Sequence, residues 1–176
     1  MMTSKIEKIL LDEQTIQRRV AELAATITRD YEGKEFTILA LMKGSVVFLA
    51  DLLRLIPIPL KLEVLPVSSY HGAVSSGVVS FQSIALPDIQ DRHVLLIDDI
   101  LDSGRTLKRL MAYLLEKNPS SLRSCVLLHK HTKTTEDIKA DYVGFEIPDA
   151  FVVGYGLDYE EYYRNFPDIR ILKPNL

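Results

Sequence analysis

Val94-Leu95-Leu96-Ile97-Asp98-Asp99-Ile100-Leu101-Asp102-Ser103-Gly104-Arg105-Thr106 decides how the rest of the chain is read. Four apolar residues in a row, Val94 to Ile97, mark a strand buried on both faces. Three carboxylates follow within five positions, then Ser-Gly-Arg-Thr, then Leu107, Leu110, Met111, Leu114 and Leu115 at helical spacing. The order is strand, acidic loop, small-residue turn, helix. Such a turn presents backbone N–H groups at a helix N-terminus, which suits a phosphate. Gly104 lets the backbone approach closely, and the Ser103 and Thr106 hydroxyls add donors. Carboxylates beside a phosphate cradle repel the phosphate. They fit a ligand that carries sugar hydroxyls or a metal next to that phosphate, so the stretch suits a phosphorylated sugar. Turn and N-cap chemistry explains a single Asp-x-x-Ser. It does not explain two adjacent acids after a buried strand, a third acid, and Ser-Gly-Arg-Thr ahead of a clear helix.

The 176 residues fit one domain, taken as 1–176, with a sizeable core. Apolar residues make up 47% and charged residues 26%, the balance of a globular protein. A net charge of −3 argues against a nucleic-acid-binding surface. The single cysteine, Cys125, lies in an apolar run and excludes an intrachain disulfide; it reads as a buried, inert thiol. No window has the apolar length of a membrane span, and Met1 to Lys8 carries no signal-peptide core, so the expected location is the cytoplasm.

Upstream, Asp12 reads as an N-cap for a helix with Ile16, Val20, Leu23 and Ile27 on its apolar face, ended by Gly33. Phe36 to Leu41 is a short apolar strand. Met42-Lys43-Gly44-Ser45 then turns into a helix that Pro57 and Pro59 close. That turn reads equally as an ordinary strand-to-helix connection and as a second anion site built on Lys43 and Gly44. Leu60 to Ser69 alternates as a strand, with Leu60, Leu62 and Val64 on one face, and Pro66 puts it at an edge or a bulge. Ser69 to Gly77 is a small, polar loop around Tyr70, ahead of a strand from Val78 to about Ala85. After the central helix, Asn118-Pro119 makes a turn. Ser124 to Leu128 is another strand, with Lys130 at its end between His129 and His131. A lysine there is well placed for a ligand of an α/β sheet. The paired histidines lack an apparent third metal ligand.

The central stretch resembles the phosphoribosyl-pyrophosphate motif of the type I phosphoribosyltransferases. Asp141 to Tyr159, dense in aromatics and glycine, and the following Tyr162-Tyr163-Arg164 resemble the C-terminal signature of the hypoxanthine-guanine branch. The resemblance runs in order from Phe36 to Lys173. It implies an α/β fold: a mainly parallel twisted sheet with helices on both faces, a small C-terminal hood and an antiparallel flexible-loop hairpin. The Phe36 to Leu41 and Val94 to Ile97 strands should be internal, and Lys43, Asp98 and Lys130 should converge at the strands' C-terminal ends.

By the same resemblance, Asp98 and Asp99 face the ribose hydroxyls, directly or through magnesium and water, and Asp158 helps hold the magnesium ion. Asp102 is the general acid/base at the purine N7. Ser103, Gly104, Arg105 and Thr106 cradle the 5′-phosphate, while Lys43, Gly44 and Arg164 take pyrophosphate. Lys130 donates to the purine 6-oxo group, Phe151 stacks on the base and the Val152 backbone reads its edge. Ser69 and Tyr70 belong to a lid over the reacting centre. The implied partners are phosphoribosyl pyrophosphate and a purine base, with assembly as a homodimer or homotetramer. Most 6-oxopurine enzymes carry Glu-Asp where this chain has Asp98-Asp99; adenine enzymes and pyrimidine-operon regulators more often carry Asp-Asp. Asp102, Lys130 and the Phe151 run weigh for a 6-oxopurine. The competing readings are an RNA-binding regulator on this fold and an enzyme for xanthine, adenine or a pyrimidine.

Overall fold

The computed structural model describes residues 6–66, 86–134 and 136–173. Ser69, Tyr70, His71 and the strand expected from Val78 lie outside these residues.

Asp12 caps the first helix, α1 (Glu13–Tyr31), its Oδ1 accepting from the Thr15 N–H at 2.8 Å. Ile16, Val20, Leu23, Ala24 and Ile27 form the buried stripe that the spacing predicts, and Gly33 follows the helix with a φ of 72°. The main sheet is built from β2 (Phe36–Met42), β3 (Lys61–Pro66), β4 (His93–Leu101), β5 (Ser121–His129) and β6 (Tyr142–Glu146). All its pairings are parallel, in the order β3-β2-β4-β5-β6. Both strands expected to be internal are internal.

Side-chain alternation splits the core into two layers. Ile38 and Ala40 of β2 and Leu95 and Ile97 of β4 pack with α1 and with α2 (Val46–Leu55). Leu39, Leu41, Val94 and Leu96 point the other way, onto Leu107, Leu110 and Leu114 of α3 (Arg105–Leu115). Helices on both faces explain why Val94 to Ile97 shows no polar alternation.

Three readings change. The central strand does not stop at Ile97: it continues through Asp98 and Asp99 to Leu101, so only Asp102 and Ser103 belong to the loop. Register continues from Asp98↔Val126 to Leu101↔His129, because β5 offers its backbone along that whole length. The edge strand holds its edge position, but Leu62 and Val64 remain 42% and 46% exposed. They share the α1/α2 face with their register partners Ile38 and Ala40, yet lie beyond the cover of those helices. Finally, the hood is not purely C-terminal. An N-terminal strand, β1 (Ile6–Leu11), pairs antiparallel with β8 (Ile169–Leu172), which pairs antiparallel with β7 (Val152–Val153). No described helix is long and apolar enough to cross a membrane.

Candidate active site

From β2 the chain crosses to β3 on one side of the sheet; from β4 it proceeds to β5 and β6 on the other. Strand order therefore reverses between β2 and β4. Ligands of open α/β sheets bind beyond the carboxyl ends of the strands at such a reversal. Met42-Lys43-Gly44 leaves β2 there and Asp98 to Gly104 leaves β4. They wall a cleft of about 350 Å³.

The peptide between Met42 and Lys43 is cis. Ser45 is fully buried and its hydroxyl donates to the Leu41 carbonyl, which closes the turn into α2. Gly44 is confined on two sides. A Cβ there would stand 1.6 Å from Asp99 Oδ2, and a Cβ on Gly156 (φ +99°) would stand 2.2 Å from the Gly44 carbonyl oxygen. Asp98 Oδ1 accepts from the Asp99 N–H at 2.9 Å. Burial pushes both carboxyl groups above the ordinary carboxylate range, and for Asp98 the neighbouring Asp99 charge adds to it.

Gly104 is the N-cap of α3, with a φ of 84° and no side-chain cap, so the first helical N–H groups are left for a ligand. Ser103 Oγ lies a long 3.5 Å from the Arg105 N–H. Ser103, Gly104 and Thr106 line the cleft as expected. Arg105 does not: its side chain is mostly exposed and its Nε lies 3.8 Å from Glu136 Oε1. The first position of a helix that starts at the cleft turns its side chain away while its N–H faces in, so only the Arg105 backbone fits the predicted cradle.

Lys130 is buried at 6% exposure, at the end of β5. Its N–H donates to the Leu101 carbonyl at 2.9 Å, which ties it to the acidic loop. Its Nζ lies 3.5 Å from Asp149 Oδ1 and 3.9 Å from Asp102 Oδ2. Lys133, which the sequence reading passed over, lies 3.2 Å from the same Asp102 oxygen and 3.5 Å from Asp149 Oδ1. The hydrogen bond to Asp102 pushes the Lys133 ammonium above its ordinary range. Phe151, half exposed, meets Tyr159 edge-on at 5.6 Å and borders the cleft with Val152 and Leu157. The histidines beside Lys130 face Glu146, His129 Nδ1 at 2.9 Å and His131 Nδ1 at 3.6 Å; neither lines the cleft.

On the far wall, Arg164 Nη2 pairs with Asp158 Oδ1 at 2.9 Å and Glu161 Oε2 at 3.1 Å, and Nη1 donates to the Gly156 carbonyl. Glu161 also holds Lys43 Nζ at 3.2 Å. Its carboxylate therefore bridges the two cations expected to meet pyrophosphate; Arg164 first, then Lys43, hold its pKa below the ordinary value. Two cleft atoms, Asp102 Oδ1 and Arg164 Nε, are buried without a hydrogen-bond partner among the described residues. Glu161, like Lys133, has a sequence signal only in hindsight: each lies three residues from a basic residue of the site, a spacing that brings side chains together once a turn forms.

The family described as phosphoribosyl transferase domain matches residues 7–160. A hypoxanthine-guanine phosphoribosyltransferase of Bacillus subtilis is 44% identical over 175 residues, 99% of this chain and 97% of that protein. One from Staphylococcus aureus is 43% identical over 176 residues, covering 99% and 98%. The crystal structure of a Staphylococcus aureus hypoxanthine phosphoribosyltransferase superposes with a TM-score of 0.88 at 41% identity, covering 98% of this chain and 95% of that one. The paired acids, the helix-terminal cradle and the buried lysine thus stand in a chain that belongs to the phosphoribosyl transferase domain family and, within it, to the hypoxanthine-guanine phosphoribosyltransferases.

Proposed function

We propose that the protein transfers a phosphoribosyl group from 5-phosphoribosyl 1-pyrophosphate to a 6-oxopurine, hypoxanthine or guanine, as a single catalytic domain spanning 1–176. The C1–oxygen bond to pyrophosphate breaks, a C1–nitrogen bond to the purine forms, and the purine gives up a proton. The observation that carries the reading is Lys130: a buried ammonium within 3.9 Å of the Asp102 carboxylate, at the mouth of a helix-terminal anion cradle. A donor and a proton acceptor side by side match the O6 and N7 of an oxopurine.

In this reading the N–H groups at the start of α3, with Ser103 and Thr106, hold the 5′-phosphate. Asp98 and Asp99 orient the ribose hydroxyls, and Lys43, Gly44 and Arg164 receive pyrophosphate. Asp102 takes the purine proton. Phe151 stacks on the base and the Val152 backbone reads its edge. Charge on the leaving group is met by Lys43 and Arg164. Magnesium fits the chemistry of the donors: two adjacent carboxylates, both destabilised as anions by burial, would gain from a divalent cation. Among the described residues no three acidic, histidine or cysteine side chains form a ready-made metal cluster, and Asp158 is paired with Arg164. Asp98 and Asp99, and Asp158 apart from them, would hold the ion only together with the substrate, and when bound it would supply charge neutralisation of the pyrophosphate.

The half-exposed Leu62 and Val64 at the sheet edge support self-association as a dimer or tetramer. The cytoplasm is the proposed location; Cys125, fully buried with its thiol pushed up by that burial, takes no part in the chemistry. An RNA-binding regulator on this fold would have no use for a buried lysine beside Asp102. A turnover assay with hypoxanthine, guanine, xanthine and adenine, with magnesium and phosphoribosyl pyrophosphate, tests the proposal. Adenine presents a donor where Lys130 already donates, and an unmet charged donor costs 1–3 kcal/mol or more, about 5- to 150-fold in turnover. Adenine turned over as fast as hypoxanthine would remove Lys130 from its role.

A further inference from the structure

The base end of the cleft holds four charges that alternate in sign. Lys130 and Lys133 each approach both Asp102 Oδ2 and Asp149 Oδ1, at distances between 3.2 and 3.9 Å. The two ammonium groups differ in surroundings. The Lys130 side chain is 8% exposed and that of Lys133 is 44% exposed. One turn brings both to the same carboxylates: the Lys133 N–H donates to the Lys130 carbonyl at 3.0 Å and the Thr134 N–H at 3.2 Å. Thr134 Oγ1 also donates to the Asp102 carbonyl at 2.6 Å. The Asp102 backbone is thus fixed by Thr134, while its carboxylate is held through Oδ2 by a lysine and its Oδ1 is left without a partner among the described residues.

We propose that Lys133 is a positioning residue for the transfer: it keeps the Asp102 carboxylate in place and charge-balanced when the purine draws Lys130 away. The inference rests on the roles given above to Asp102 and Lys130. A 6-oxo group that accepts from Lys130 removes a cation from two carboxylates at once. Asp102 and Asp149 would then repel each other in a partly desolvated cleft. Lys133 is the closer of the two lysines to Asp102 and stands on the solvent side, where a bound base does not need it. It can therefore stay paired throughout the reaction. Among the described residues, the charged groups facing Asp102 are Lys130 and Lys133 from the turn, with Asp149 across from both.

The test is a double-mutant cycle on the full chain. Lys133→Met keeps most of the aliphatic stem and removes the charge; Lys133→Arg restores the charge. Each is placed in the native protein and in Asp102→Asn, and kcat, KM for both substrates and melting temperature are measured. For a half-exposed, charge-assisted contact, Lys133→Met should lower kcat on the order of tenfold, with KM for phosphoribosyl pyrophosphate unchanged. Lys133→Arg should recover most of the rate. In the Asp102→Asn background, Lys133→Met should cost little more, because both changes act through one carboxylate. A native-like kcat in Lys133→Met, while Asp102→Asn is slow, overturns the role of Lys133 and leaves that of Asp102 standing. A native-like kcat in Asp102→Asn overturns both. A full tenfold loss from Lys133→Met in the Asp102→Asn background also overturns the proposal, since Lys133 would then act elsewhere.

Discussion

Gly44→Ala separates folding from function at one atom. Gly44 does not occupy the left-handed region, so alanine is permitted by the backbone. The added Cβ would stand 1.6 Å from Asp99 Oδ2 and 2.6 Å from its Cγ; the three nearest heavy atoms all belong to that one side chain. The clash is relieved if the carboxylate swings away, and the carboxylate must retreat from 1.6 Å to at least 3.4 Å, a displacement of roughly 1.8 Å. The fold should tolerate this. Loss of glycine's freedom in the unfolded chain is worth ~0.4–1 kcal/mol in the variant's favour, and the melting temperature should move by no more than about 4 °C. The site should not tolerate it. A misplacement of about 1 Å costs on the order of 10²-fold in rate, so turnover should fall by at least that much. The assay is steady-state turnover at saturating purine with phosphoribosyl pyrophosphate varied, beside a thermal melt of the same preparation. If Gly44→Ala keeps more than a third of native turnover at a native melting temperature, the position of Asp99 against Gly44 is irrelevant to catalysis. If the variant instead melts much lower, Gly44→Ala in Asp99→Ala should melt like Asp99→Ala alone; failure of that rescue would place the crowding in the backbone.

Glu161→Gln keeps the shape of the bridge between Lys43 and Arg164 and removes its charge, so two cations lose an internal competitor for pyrophosphate. Because both Glu161 and Lys43 are largely exposed, KM for phosphoribosyl pyrophosphate should fall by only about 1.5- to 5-fold, and a rise would mean that Glu161 assists binding. Tyr142 donates to Asp30 Oδ2 at 2.7 Å and accepts from Arg123 at 2.8 Å; burial first, then Asp30, pushes its hydroxyl up to about 12. An acid with a raised folded-state pKa binds its proton more tightly when folded, so its contribution is complete below the unfolded value near 10 and is lost as pH rises towards 12. Tyr142→Phe should therefore lower the neutral-pH stability by about 1 kcal/mol and flatten the alkaline limb of the melting curve; an unchanged slope between pH 9 and 11 would rule out this coupling.

The linear sequence determined the two buried strands, because Val94 to Ile97, and Phe36 to Leu41 but for Thr37, are apolar on both faces and a doubly covered sheet accommodates that. It determined the Asp12 cap, the choice of edge or bulge for the Pro66 strand, and the uncapped helix start at Gly104, since each depends on a backbone preference of the residue itself. The acids, Lys43 and Lys130 were legible for a related reason: each follows a strand directly, and parallel strands all deliver their ends to one side. Tertiary structure decided the rest. Asp98 and Asp99 stay in the strand because β5 supplies hydrogen bonds beyond Ile97, a fact about a segment more than twenty residues away. β1 exists because β8, at the other end of the chain, pairs with it. The Arg105 side chain turns away from the expected cradle, leaving only its N–H facing the cleft, because helix geometry sends that side chain outward. The contacts of Lys133 with Asp102 and of Glu161 with Lys43 join residues separated by 31 and 118 positions. Hydrophobic periodicity encodes which face of an element is buried. It does not encode which charged side chains meet across the gap between elements, and that gap is where this protein keeps its cleft.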